Sequence, residues 1–141
     1  MRVAAIDQGT TSTRCLVFEA DGSWRVAASK RHAQHHPAAG WVEHDGEELL
    51  GNIREVLAAA GPVDAIGLAN QGESCLAWDA LTGKPLSPVI VWKDARTTEA
   101  LAAMGEQAEA RSKAICGLPL DPYFSASKLG WLLRNVPEAA A

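Results

Sequence analysis

The stretch Val3-Ala4-Ala5-Ile6-Asp7-Gln8-Gly9-Thr10-Thr11-Ser12-Thr13-Arg14, running straight into Cys15-Leu16-Val17-Phe18, constrains the fold more than any other part of this chain. Val3 to Ile6 is a continuous apolar run of the kind buried on both faces of a sheet, and Asp7 stands where that run stops. A carboxylate is thereby placed at the end of a strand. Gly9 permits a tight turn whose backbone can come close to a ligand, Thr10, Thr11, Ser12 and Thr13 offer hydroxyls, and Arg14 adds a positive charge. Such a turn suits phosphate: backbone N–H groups and hydroxyls donate to phosphate oxygens, and Asp7 holds a magnesium ion through waters. By spacing alone the same residues equally fit an ordinary hairpin with Asp7 as a cap. The turn is not a P-loop, since neither Gly9 nor Gly83 sits in a G-x-x-x-x-G-K-[ST] frame.

Taken in order, Cys15 to Glu19 reads as a second strand, Asp21-Gly22 as a hairpin turn, and Trp24 to Ser29 as a third strand, giving three consecutive antiparallel strands. Lys30 to Gly40 carries His32, His35 and His36. Without a partnering Cys or a fixed helical pairing, these read as packing histidines in a solvated loop rather than a metal cluster. Asp45-Gly46-Glu47-Glu48 has capping-box spacing, with Glu48 reaching back. It opens a helix whose Leu49, Leu50, Ile53, Val56, Leu57 and Ala60 share one face, ended by Gly61-Pro62. Ala65 to Ala69 returns as a buried strand, with Asn70-Gln71-Gly72-Glu73 at its end, where open α/β sheets place ligand contacts.

Ser74 to Trp78 and Pro88 to Trp92 read as two more strands joined by a turn-rich connection. A helix follows from Thr97 through Ala108, then a loop from Cys116 to Pro122. A last helix runs from about Phe124 to Arg134, burying Phe124, Leu129, Leu132, Leu133 and Val136. Glu138 to Ala141 reads as a ragged end.

The 141 residues fit one domain, with 48% apolar and 21% charged residues and no internal repeat or linker. A formal charge of -4 with scattered Lys and Arg argues against a nucleic-acid surface. Cys15, Cys75 and Cys116 are odd in number and far apart, which reads as three reduced, buried thiols. No basic leader precedes the first strand, and no apolar run approaches the ~20 residues of a membrane span. A cytoplasmic enzyme is expected, with no membrane partner.

Several of these segments together are identified as a family pattern. Asp7 to Arg14, Gly40-Trp41-Val42-Glu43-His44-Asp45, Ile66 to Ser74, Val89 to Thr97 and Gly117 to Lys128 resemble, in order, motifs of the FGGY carbohydrate kinases, and within that family those of its glycerol kinases. The resemblance implies an α/β fold of the actin-like ATPase (ribonuclease H-like) class, a mixed sheet with flanking helices. Residues 1–141 would be the N-terminal part of the first domain of such a kinase. The second, adenosine-binding domain and the catalytic aspartate are expected beyond Ala141, so no catalytic residue is assigned and the fragment alone is expected to be inactive.

The resemblance also implies ATP and Mg2+ as cofactors. Asp7, Gly9, Thr10, Thr11, Ser12 and Arg14 match the phosphate-facing turn, with Asp7 toward the metal. Glu73, Trp92 and Tyr123 match positions that line the polyol. Read singly, Glu73 is equally a loop charge, Trp92 a core tryptophan and Tyr123 a packing residue at a helix start. The implied partner is a small polyol or sugar, and a homo-oligomer of the full-length protein is compatible with the family.

Two departures stand out. Gly72 occupies the substrate-loop position where glycerol kinases usually carry arginine, so a bidentate hydroxyl-binding guanidinium is missing and glycerol as substrate is put in question. Trp92-Lys93-Asp94-Ala95-Arg96 replaces Trp-Gln-Asp-Arg-Arg, losing one arginine and gaining a lysine. The leading reading is the N-terminal fragment of a kinase transferring the γ-phosphoryl group of ATP to a polyol or sugar hydroxyl. The alternative is a truncated, catalytically inactive actin-like binding or regulatory module. Another actin-like ATPase is disfavoured by Trp92, Tyr123 and the Asn70 to Glu73 loop.

Overall fold

The computed structural model describes residues 1–140; Ala141, the end of the expected ragged tail, lies outside the described residues. The chain forms two compact units, one from residues 1–34 and 44–72, the other from 35–43 and 73–141. Each is considered by itself.

The first unit is built on strands β1 (Val3–Gln8), β2 (Ser12–Phe18) and β3 (Trp24–Arg31), antiparallel in sequence as expected. The residues 43–44 form a two-residue strand, β4 (Glu43–His44), at which the chain passes back from the second unit to the first. Helix α1 (Gly46–Ala58) follows, and β5 (Ala65–Ala69) then lies parallel to β1, giving the order β3-β2-β1-β5. The Asp45 carboxylate accepts from the Glu47 and Glu48 N–H groups and so caps α1. Glu48 does not complete the reciprocal box; its carboxylate accepts the Ala33 N–H at 3.2 Å.

The core of this unit joins Ala4 and Ile6 of β1, Cys15 and Val17 of β2, and Val56 and Ala60 from the helix side. Burial along β1 alternates, with Ala4, Ile6 and Gln8 inside and Val3, Ala5 and Asp7 half-buried. The expected burial on both faces is therefore corrected: one face is buried against α1 and the other is only partly covered. β5 departs further, because all five of its residues are exposed, including Ile66 at 55% and Leu68 at 61%. It is an edge strand in this unit, paired on one side only. On α1, Leu50 is exposed, and Asn52 is buried instead, donating to the Arg31 carbonyl at 3.4 Å.

The second unit contains β6 (Val89–Ile90) and helices α2 (Thr98–Ala102), α3 (Gly105–Cys116) and α4 (Ser125–Asn135), ending in a 3-10 turn over Pro137–Ala140. The strand expected at Ser74 to Trp78 reduces to isolated bridges, Cys75 to Ile90 and Trp78 to Pro85. The helix expected from Thr97 is broken because Gly105 adopts φ +77°, a left-handed conformation that interrupts the turn. Gly117, at φ +78°, then ends α3 one residue after Cys116, later than expected. On α4 only part of the expected apolar face is inside: Leu132 is buried, Leu129 and Leu133 are exposed, and the fully buried residue is Lys128. The thiols also divide, with Cys15 buried, Cys75 half-buried and Cys116 exposed. No helix among the described residues is long and apolar enough to cross a membrane.

The organising feature of the second unit is Arg96. Its guanidinium donates to both Asp94 carboxylate oxygens at 2.9 Å and to Glu43 at 2.7 Å. It lies 3.9 Å from the Trp41 ring centroid and 4.7 Å from that of Trp131. Asp94 in turn accepts the Val42 N–H at 2.6 Å and the Arg96 N–H at 2.9 Å. The side chains of Arg96 and Asp94 are 1% and 0% exposed, so this charge-assisted, two-point ion pair is shielded from solvent. Removing one partner strands the others without solvent. Arg96→Met should therefore lower stability by about 3–5 kcal/mol, measured by equilibrium urea unfolding. A loss of less than about 1 kcal/mol, the range of exposed pairs, would contradict that account.

Candidate functional site

The candidate residues fall into two groups, one in each unit. In the first, the turn between β1 and β2 is shorter than the sequence suggests. β1 continues through Asp7 and Gln8, and β2 already begins at Ser12, leaving Gly9, Thr10 and Thr11 as the turn proper. The Gly9 N–H donates to the Ser12 carbonyl at 3.0 Å and closes it. Gly9 is not in the left-handed region, and a Cβ there would touch the Ser12 carbonyl at 3.4 Å, an ordinary contact. The turn itself does not demand glycine, although a Cβ there would also come within 4.0 Å of the Asp7 carboxylate.

Asp7 and Arg14 are cross-strand partners, and the guanidinium donates to the Asp7 carboxylate at 2.7 Å. Both stay about half exposed, so this pair is worth little to stability and its charges face solvent. Thr11 is exposed, and Thr10 and Ser12 are half-buried, whereas Thr13 is fully buried with its hydroxyl pointing into the protein. Alternation along β2 dictates this, and it removes Thr13 from the hydroxyls the turn can offer.

Four residues not among the expected phosphate ligands, His32, Gln34, Gln8 and Gln71, hold the turn from beneath. His32 Nε2 lies 2.9 Å from the Thr10 carbonyl, which also accepts from Gln34 Nε2 at 3.4 Å. The Gln8 amide donates to the Gly9 carbonyl at 2.9 Å and accepts from Gln71 at 3.3 Å. In a trans peptide the C=O and N–H point opposite ways, so a Thr10 carbonyl held inward turns the Thr11 N–H outward. The signal for His32 was its place in the run after β3, but only the fold shows what it supports.

In the second unit, Glu73, Trp92 and Tyr123 converge on the start of α4. The Trp92 and Tyr123 rings pack edge to face at 5.7 Å, and Tyr123 meets Phe124 at 5.2 Å. Tyr123 nevertheless stays 43% exposed, so an aromatic face is available to a ligand. The Glu73 carboxylate accepts the Ser125 N–H at 2.6 Å, one of the unsatisfied donors at the N-terminal end of α4. Glu73 itself adopts φ +63°, a left-handed conformation unusual for a residue with a side chain. Strain of this kind clusters at functional positions.

Gly72, the last residue of the first unit, is exposed and not left-handed, and a Cβ placed on it meets nothing within 4 Å. The backbone there would accept an arginine. In the altered Trp92 to Arg96 motif, the substituted positions Lys93 and Ala95 are exposed, while Asp94 and the Arg96 side chain are buried. The departures thus leave the scaffold intact.

Residues 2–141 match the family model described as the N-terminal domain of the FGGY family of carbohydrate kinases, and the chain belongs to that family. It is 50% identical over 148 residues to a glycerol kinase of Methylorubrum populi, a match that covers 99% of this chain and 30% of that protein. Its structure is similar to that of a glycerol kinase of Plasmodium falciparum solved with ADP, with TM-score 0.84, 30% identity, and coverage of 99% of this chain and 30% of that one. A xylulose kinase of Rhodospirillum rubrum matches with TM-score 0.81, 27% identity and coverage of 99% and 31%. The fold is that of the actin-like ATPase kinases, and the chain spans about 30% of the length of these relatives.

Hydrogen bonds from the Ser125 backbone and then its side chain hold the Glu73 carboxyl below its ordinary pKa, with a smaller contribution from Lys128. A carboxyl depressed by folding stabilises the protein fully above the unfolded value of about 4.3, and that stabilisation is lost as pH falls through the folded value. Glu73→Gln should lower stability at pH 7 and flatten the acid side of the profile, read as urea midpoints from neutral pH downward. An unchanged acid limb would show that the contact contributes nothing.

Proposed function

We propose that this chain is the N-terminal part of the first domain of a kinase that transfers the γ-phosphoryl group of ATP to a hydroxyl of a small polyol or sugar. The observation that carries the reading is the convergence of Glu73, Trp92 and Tyr123 on the start of α4, in a chain whose relatives include glycerol and xylulose kinases. An aromatic pair offers a wall for the carbon face of a polyol, and an ionised carboxylate accepts from its hydroxyls.

On this reading the Gly9 to Thr11 turn, with Ser12 and Arg14, receives the nucleotide phosphates through outward N–H groups, hydroxyls and the guanidinium. Asp7 fits magnesium in the manner that ion prefers, as one exposed carboxylate that leaves most of the coordination shell to water and phosphate. When bound, the ion neutralises charge on the phosphate oxygens. The acceptor hydroxyl oxygen forms a bond to the γ-phosphorus, the bond to the bridging β–γ oxygen breaks, and ADP leaves. The hydroxyl proton passes to a base supplied by a part of the full-length protein outside these residues. Its partners are ATP and a small acceptor rather than nucleic acid or membrane, and its compartment is the cytoplasm.

Asp7→Ala in the full-length protein should reduce kcat by at least about a hundredfold, because the ion loses its anchor and Arg14 its counter-charge. Steady-state phosphoryl transfer measures this. Activity within a few-fold of wild type rejects the role. Gly72 should shift preference away from glycerol. Gly72→Arg, for which the backbone leaves room, should raise the kcat/KM for glycerol relative to xylulose by about tenfold or more. If the wild type already prefers glycerol and the arginine alters neither value, Gly72 has no part in specificity.

A further inference from the structure

Lys128 stands in the last of the family-like segments, but neither the phosphate turn nor the polyol wall accounts for it. It is 0% exposed. Lysine is almost never fully buried without a paired charge. Here the ammonium donates instead to two main-chain carbonyls, those of Pro122 and Tyr123, each at 2.6 Å. It also sits in the first turn of α4, the end where the helix dipole disfavours a cation. Burial pulls its pKa down, while Cys75, Glu73, Asp94 and Asp121 act in the opposite sense. A methionine would fill this position without desolvating a charge, so stability alone is a poor reason for a lysine here.

The two carbonyls flank a single residue, Tyr123. Its own N–H is held as well, donating to the Asp121 carboxylate at 2.7 Å. Both peptide groups of Tyr123 are thereby fixed, while its ring stays exposed beside Trp92. Locking the backbone of an exposed aromatic removes the ordering cost that a ligand would otherwise meet on binding. We propose that Lys128 is a positioning residue for the acceptor site: with Asp121 it clamps the backbone of Tyr123 from both sides and sets the ring against which the polyol or sugar packs. This rests on the reading that Tyr123 lines the acceptor.

The test uses Lys128→Met, Asp121→Ala, Tyr123→Ala and the Lys128→Met/Tyr123→Ala double variant of the full-length protein. KM for ATP, KM for the better of glycerol and xylulose, kcat and Tm are measured for each. Lys128→Met should raise the acceptor KM about tenfold while the ATP KM stays within about twofold, and Tyr123→Ala should add little on top of it. Asp121 is exposed, so Asp121→Ala should fold and raise the acceptor KM in the same direction even if Lys128→Met does not fold. A merely structural lysine would lower Tm and kcat and leave both KM values unchanged, which overturns the proposal. So does an acceptor KM raised by Tyr123→Ala but by neither Lys128→Met nor Asp121→Ala. No effect of Tyr123→Ala, or no turnover of either acceptor by the wild type, overturns the underlying reading and the inference with it.

Discussion

The buried guanidinium of Arg96 is the contact on which the second unit depends. It ties together three stretches far apart in sequence: Trp41 and Glu43 from the residues 35–43, Asp94 and Arg96 after β6, and Trp131 on α4. A planar cation with a fixed fork of donors reaches two carboxylates while it also lies against the rings of Trp41 and Trp131, which themselves pack edge to face at 5.4 Å, a combination an ammonium cannot make. α4, held through Trp131, carries Ser125 and Lys128, and these fix Glu73 and Tyr123 in turn. The motif Trp92 to Arg96 therefore has two jobs. Trp92 faces Tyr123, whereas Asp94 and Arg96 hold the scaffold, and the first arginine of the Trp-Gln-Asp-Arg-Arg pattern is replaced by Ala95 at an exposed position.

A second theme is the division of polar groups between scaffold and ligand. Asp7 is paired with Arg14 yet half exposed, so the pair stays open to exchange part of its mutual attraction for a bound ion or phosphate. Glu73 gives an oxygen to the start of α4, which orients the carboxylate and keeps it ionised, the state that accepts hydroxyl protons. The buried amides of Gln8 and Gln71 fix the Gly9 carbonyl, and His32 with Gln34 fixes that of Thr10. The turn is thus held in advance by its support rather than by its own glycine, and preorganised donors are the form in which a protein stabilises charge most effectively.

Much of this was legible in the sequence, and the failures have common causes. The three antiparallel strands, the Asp45 cap and α1 follow from alternation, turn residues and capping chemistry, all of them local. Ala65 to Ala69 is apolar throughout and reads as buried, but side-chain burial needs an element packed on the face of the sheet, and α1 lies over β1, β2 and β3 rather than β5. The α4 face was misread at Lys128, since a periodicity of apolar residues gives no reason to bury a lysine whose partners lie in the loop before the helix. Arg96 against its two tryptophans, His32 under the turn and the strained Glu73 depend on contacts between distant residues, which no window of sequence contains. The candidate site residues were readable mainly as a family pattern, because the single motifs are too short to exclude ordinary turns and packing residues.

On the proposed reading, phosphate binds at the β1–β2 turn and the acceptor at Glu73, Trp92 and Tyr123. Amide hydrogen exchange on the full-length protein tests it most directly, with Mg-ADP alone and with glycerol or xylulose alone. Nucleotide should slow exchange across Gln8 to Thr13, and the acceptor should slow it at Glu73 to Cys75 and Tyr123 to Ser125. Protection by nucleotide at Tyr123 to Ser125 without any at Gln8 to Thr13, or no change in either stretch with either ligand, would contradict it.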